Sequence, residues 1–264
     1  MFFNIKKLRE IALEKTTNLV NNQDFLYIDK GGKVLAVAHA DTVFKDSELF
    51  FLYEPRKNIV FSPGLDDRLG VYILLEVLKN VDIDILITTG EESMNSSAKL
   101  FFPPKTYHWV VEFDREDDDI ATYQYQWDEK FLRKYFPAVN DGSYSDIVDL
   151  EHLGCLGLNI GIGYYYKHRI NCYALLSETE RAIKRFLKFF EENKNRRFKH
   201  KPSPPPPLKK VSKNNYKYSK YWLSPSFYEE SGGKNFCPFC GAEITEEEEL
   251  IYEQYRMCAS CAFG

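Results

Sequence analysis

Three apolar runs constrain this chain more than any other feature: Ile83–Thr88, Trp109–Phe113 and Leu156–Ile162. Each is short and nearly continuous, without the polar alternation of a half-exposed strand, so each reads as a strand covered on both faces. Helical patterns separate them. Arg68–Leu78 is apolar on most faces and predicts a buried helix, and Glu129–Phe136 reads as a second helix. Ser177–Glu192 places Ile183, Phe186, Leu187 and Phe190 on one side, the mark of an amphipathic helix. Strands alternating with helices predict an α/β fold, a three-layer sandwich around a mixed, mostly parallel sheet. Two further strands, Phe25–Asp29 and Val34–Ala38, flank Gly31-Gly32, which suits a tight hairpin turn. Asn58–Phe61 is a short strand.

A chain of 264 residues accommodates one large domain and something smaller, and 44% hydrophobic residues supply a sizeable core. Net charge of -4 argues against nucleic-acid binding by the whole chain. The opening MFFNIKKLREIALEK is an amphipathic helix carrying charges throughout, unlike a signal peptide. No run approaches the ~18 apolar residues of a membrane span, and six cysteines that form no disulfide framework fit a reducing compartment, so a cytoplasmic protein is expected. Composition changes after Asn193. From Lys194 to Lys220 there are ten Lys or Arg and no Asp or Glu, together with Pro202 and the run Pro204–Pro207. The expected organisation is therefore a domain over 1–193, a basic proline-rich linker over 194–232 and a small unit over 233–264.

Polar residues interrupt this pattern at chosen places. His39 and Asp41 end VLAVAHAD, and Asp66 and Asp67 precede the buried helix. Glu91 and Glu92 follow DILITTG, Asp114 ends HWVVEFD, and His168 follows GLNIGIGYYYK. Each stands at or just beyond a predicted strand or at a helix start, the edge where α/β sheets gather ligands. The residue types suit two divalent zinc ions, which take imidazole and carboxylate ligands and leave positions open. One carboxylate must bridge such a pair, another must stay unligated to move protons, and a third can orient the ligand imidazole. Taken singly, each residue has an ordinary structural reading. A His at a strand end is usually a satisfied one, and Asp66-Asp67 could cap a helix. His108 and His152 match no such pattern and read as structural, and Tyr164–Tyr166 either pack or shape a pocket.

In order and spacing, HADTV, GLDDRLG, TTGEE, EFD and GYYYKH resemble the signature blocks of the co-catalytic dizinc exopeptidases. The resemblance implies that His39 and Asp114 hold one zinc, Glu92 and His168 the other, and that Asp66 bridges them. It makes Glu91 the general acid/base, acting on a water between the ions, and Asp41 the partner that orients His39. Only 53 residues separate Asp114 from His168, too few for the inserted domain of the carboxypeptidase-like members, so the compact aminopeptidase branch is the better match. Glu91-Glu92 is followed by SMNSSA instead of a glycine-rich turn, a departure that bears on the substrate pocket.

Near the end stand Cys237-Pro-Phe-Cys240 and Cys258-Ala-Ser-Cys261, 17 residues apart. That lies within the roughly 15–20 residues of a four-thiolate zinc site. Four thiolates close the coordination sphere, so this zinc ribbon carries a structural ion, while Cys155 and Cys172 stand alone. The expected inventory is two catalytic zinc ions and one structural one. The expected activity is peptide or amide hydrolysis, most readily by an aminopeptidase. Two alternatives stay open: an N-acyl amino acid or amino-sugar deacylase on the same core, and a non-catalytic module working through the ribbon. The partners implied are a peptide or acyl-amino-acid substrate, and a protein or anionic partner for the linker and ribbon, with no membrane.

Overall fold

The computed structural model describes residues 3–201. The proline run and the cysteines Cys237, Cys240, Cys258 and Cys261 lie outside the described residues. Eleven strands occur among the described ones: β1 (Leu26–Ile28), β2 (Val34–His39), β3 (Leu52–Glu54), β4 (Ile59–Phe61), β5 (Asp84–Thr88), β6 (Trp109–Arg115), β7 (Ile120–Ala121), β8 (Val139–Asn140), β9 (Gly157–Gly161), β10 (Tyr164–Tyr165) and β11 (Tyr173–Leu175). The helices are α1 (Ile5–Leu13), α2 (Thr16–Leu19), α3 (Leu65–Tyr72), α4 (Glu129–Leu132) and α5 (Leu176–Asn193). None is long and apolar enough to cross a membrane.

Seven strands form one mixed, mostly parallel sheet in the order β1-β5-β2-β6-β9-β7-β8. Its middle, β5-β2-β6-β9, is parallel throughout, and every residue of β2, β5 and β9 is buried. Continuous burial on both faces is why these strands read as unbroken apolar runs. On one face Trp109 is packed edge-on by Phe186, Phe189 and Phe190 of α5. Such aromatic pairs add about 0.5–1.5 kcal/mol each beyond the area they bury. On the other face Glu112 of β6 meets Ser145 and Asp146, where a 3-10 helix (Asp146–Leu153) begins. Residues 109 and 112 of one strand point to opposite faces, so the sheet is covered on both sides. The remaining strands make a second, antiparallel sheet, β10-β11-β4-β3.

The hairpin expected at Gly31-Gly32 is not formed. β1 and β2 lie on opposite sides of β5, one antiparallel and the other parallel to it. The glycines instead carry the chain around the start of β5. A Cβ on Gly32 would sit 2.8 Å from the Asp84 amide, so only glycine permits this approach. Two other elements differ from the sequence expectation, one in form and one in length. The buried helix passes from α3 into a wider π turn over Ile73–Val77, and α4 stops at Leu132. Packing outlasts the change in composition at Asn193. Phe198 and His200 are buried, and the backbone of Phe198 bonds to Leu156 and His108. His108 and His152 each meet backbone carbonyls, as structural histidines do.

Asp84 locks the crossing at β5. Its Oδ1 accepts the amides of Lys30 (2.9 Å) and Gly32 (2.8 Å), and its Oδ2 takes Tyr107 Oη (2.8 Å) and Lys105. Burial works to raise its pKa, but Lys105, Tyr107 and the two amides outweigh burial and hold it below the usual carboxylate range. Stability from a depressed carboxyl is fully present above the unfolded value near pH ~4 and is lost as pH falls through the folded value. Asp84→Asn should therefore lower the melting temperature most near neutral pH, with the deficit shrinking below about pH 3. Melting curves of both proteins across that range test this.

Candidate metal centre

The parallel strands β5, β2, β6 and β9 all end on one edge. From β2 the chain goes to β5 on one side and later to β6 on the other, so the loops beyond β2 diverge and leave a crevice. His39, the last residue of β2, stands in it with a side chain 1% exposed. Its Nδ1 lies 3.0 Å from the carbonyl of Asp41. A carbonyl only accepts, so Nδ1 carries a hydrogen. Burial opposes a charged ring, but Asp114, Asp41 and Asp66 outweigh it and raise the His39 pKa well above its ordinary value. Without a cation the ring therefore holds a second proton on Nε2, and a bound metal would take that proton's place. Around Nε2 stand Asp66 Oδ1 (3.5 Å), Asp114 Oδ1 (3.5 Å) and Glu91 Oε2 (3.7 Å).

Asp66 and Asp67 precede the regular turns of α3, and both have non-helical backbone angles with a cis peptide between them. Asp67 Oδ1 accepts the Gly70 amide at 3.0 Å, capping the turns that follow, and Oδ2 accepts the His39 amide at 3.3 Å. A Cβ at Gly70 would stand 2.4 Å from both Asp67 oxygens and 2.2 Å from the Phe113 carbonyl, so glycine is required there. Asp66 is left free to face the crevice. Its Oδ1 looks at His39 and its Oδ2 lies 3.2 Å from His168 Nε2. His168 rides on the loop between β10 and β11 and also lies 2.8 Å from Glu92 Oε2. The Glu92 amide donates to Asp41 Oδ2 at 3.2 Å.

Every crevice residue singled out in the sequence is thus in one cluster: His39, Asp41, Asp66, Glu91, Glu92, Asp114 and His168. Sequence reasoning gave Tyr164 only a packing or pocket-shaping part and missed Asn159. Tyr164 is buried with its hydroxyl 3.1 Å from Asp66 Oδ1 and 3.3 Å from Asp114 Oδ1. Asn159 of β9 accepts the Asp114 amide (3.0 Å) and donates to the Asp114 carbonyl (2.9 Å), at a break in the β6–β9 register. A polar residue inside GLNIGIG was the available signal for it.

The cluster holds six carboxyls, counting Asp67, against two imidazoles. Burial and the neighbouring carboxylates Asp114, Asp146 and Glu92 push Glu91 up to about 9, against the pull of His39. Burial and Asp66 raise Asp114 to about 7. Hydrogen bonds to Asp66 and Glu92 raise His168 to about 10, with burial opposing. As protein groups alone, these side chains hold protons to offset crowded negative charge, and divalent cations bring the same positive charge. Three of the five buried side-chain polar atoms without a hydrogen-bond partner among the described residues lie here: His39 Nε2, Asp41 Oδ1 and Glu92 Oε1. Buried polar atoms are seldom left so, and an imidazole nitrogen with a carboxylate oxygen fits metal ligation. Two ligand triads lie close enough for an ion, His39–Asp66–Glu92 and His39–Asp67–Asp114. A cleft of about 150 Å³ opens onto Asp66, Glu91, Asp114 and His168, and Glu116 and Asp117 also line it.

No protein-family model matches the sequence, and no curated protein does. Solved structures with a similar course of chain include an aminopeptidase PepT from Bacillus cereus, at 13% identity and TM-score 0.49, over 71% of this chain and 90% of that one. A tripeptidase from Staphylococcus aureus matches at 11% identity and TM-score 0.47, over 71% and 90%. An endoglucanase from Thermotoga maritima matches at 12% identity and TM-score 0.45, over 71% and 97%. The activities in those names belong to those proteins.

Proposed function

We propose that this chain is a dizinc hydrolase of peptide bonds, of the aminopeptidase type. The observation that carries the reading is the buried Nε2 of His39, which makes no hydrogen bond and faces the carboxylates of Asp66 and Asp114. His39 and Asp114 would hold one ion and Glu92 and His168 the other. Asp66, which turns one oxygen to each imidazole, would hold both. When bound, such ions polarise a carbonyl and make a nucleophilic water available near neutral pH. Asp41 keeps His39 in the tautomer that ligates, through its carbonyl on Nδ1. Glu91 is the carboxyl left without a ligand role. Its side chain borders the cleft, and its Oε2 takes the proton of the attacking water and returns it to the departing amine. Glu116 and Asp117 line the cleft together with Arg115 and Lys167, so charges of both signs stand at its rim.

The zinc-loaded protein is expected to release N-terminal residues from unblocked short peptides, and acetylation of the terminus should stop it. Product masses from a panel of free peptides, acetylated peptides and N-acyl amino acids decide the matter. Turnover confined to the N-acyl amino acids would replace the aminopeptidase reading with a deacylase.

A further inference from the structure

Glu91 and Glu92 are carried on a loop, not on a strand, so something must hold that loop. It leaves β5 after Thr88 and ends at Ser96, where a 3-10 helix (Ser97–Leu100) begins. Both ends reach one carboxylate. Thr88 Oγ1 donates to Asp146 Oδ2, and Ser96 Oγ donates to Asp146 Oδ1. Asp146 is fully buried and comes from another part of the sheet's cover. Its own amide donates to Glu112 Oε1 at 3.2 Å, which ties it to β6 two residues before Asp114. Ser96 Oγ in turn accepts the Ala98 amide at 2.9 Å. Within the loop Asn95 N bonds to Gly90 O (2.9 Å), Met94 N to Glu91 O (2.7 Å) and Ser97 N to Thr89 O (2.8 Å). The Thr89 amide also donates to Ser97 Oγ at 3.0 Å, so the loop is a closed turn whose ends are joined by the Thr89–Ser97 pair and, one residue earlier at each end, by the Asp146 carboxylate.

We propose that Asp146 is a positioning residue, clamping the ends of the Thr88–Ser96 loop through both its oxygens and so fixing Glu91 against the reacting atoms. This rests on Glu91 being the proton-transferring carboxyl. Asp146 is suited to the task because a carboxylate accepts on two oxygens at once, and neither Thr88 nor Ser96 reaches the other. An amide of the same shape has one accepting oxygen, so one hydroxyl must reverse and accept from its NH2, as Thr88 could by donating to the Ala38 carbonyl, and that end exchanges a charge-assisted bond for a weaker neutral one. Proton transfer depends on sub-ångström placement, so a loosened loop lowers kcat while substrate binding in the cleft is retained.

The test compares the zinc-loaded wild type with Asp146→Asn and Ser96→Ala, in hydrogen exchange and in steady-state kinetics. Exchange of the Met94, Asn95 and Ser97 amides should quicken about 10-fold or more, while amides of β2 keep their protection. In the same variants kcat should fall about 10- to 100-fold with KM within about twofold, and the double variant should lose little more than Asp146→Asn alone. Should Asp146→Asn fail to fold, Ser96→Ala removes one half of the clamp and is judged by the same measurements. Loop exchange equal to wild type overturns the clamp. Faster loop exchange with unchanged kcat overturns its part in positioning Glu91. A wild type without turnover on any peptide sinks the proposed activity instead, and the exchange measurement still decides whether Asp146 clamps the loop.

Discussion

Glu91→Gln is expected to slow peptide hydrolysis by about 100-fold or more while the protein keeps its full complement of ions. The amide has the size and shape of the carboxyl but cannot take a proton, so the change isolates that one capacity. Retention of metal follows from the arrangement around His39. Glu91 Oε2 stands at 3.7 Å from Nε2, farther than Asp66 and Asp114 at 3.5 Å. Burial and like-charged neighbours also push it up to about 9. Metal analysis and kinetics on one preparation give the result. Ions lost together with activity would make Glu91 a ligand and require a new assignment for the whole cluster.

Stripping the ions with a chelator should reduce turnover to the uncatalysed background, and zinc should restore it. The reason is electrostatic as well as chemical. Six carboxyls facing two imidazoles tolerate one another as bare side chains by holding protons, and burial with crowding pushes Asp114 up to about 7 and Glu91 up to about 9. Removal of cations should therefore cost stability. An ion held at about 100 times its dissociation constant contributes about 2.7 kcal/mol. A chain ended after residue 201, past the packed Phe198 and His200, should bind two zinc ions, and the full chain three, with the third on Cys237, Cys240, Cys258 and Cys261. Saturation of the full chain at a single ion would exclude the two-metal site.

Much of the centre was legible because the sheet is buried on both faces. In a chain whose strands are apolar throughout, an Asp, Glu or His at a strand end has no solvent-facing excuse, and His39 and Asp114 stood out for that reason. The hairpin at Gly31-Gly32 misled because the glycines answer to a distant partner. Local turn chemistry does not reveal that Asp84 and the start of β5 lie between the two strands. Tyr164 and Asp146 were illegible for a related cause. YYYKH and SYSDIVDL carry no periodicity that marks one tyrosine hydroxyl or one aspartate as buried, and only the folded chain brings them to Asp66 and to Thr88 and Ser96. Asp67 was visible as a pair with Asp66, but which of the two would be spent on backbone amides depended on Gly70 and His39.

The side-chain amide of Asn159 mimics a peptide group. Where the β6–β9 ladder slips, it supplies to Asp114 the acceptor and the donor that a neighbouring strand residue would have offered. Bulges of this kind re-aim a side chain. Anyone transplanting this centre into another parallel sheet would therefore have to move a residue that touches no ion. A graft restricted to the ligands would leave the Asp114 carboxylate following the regular pleat of its new host, and the recipient would inherit the right letters with the wrong aim.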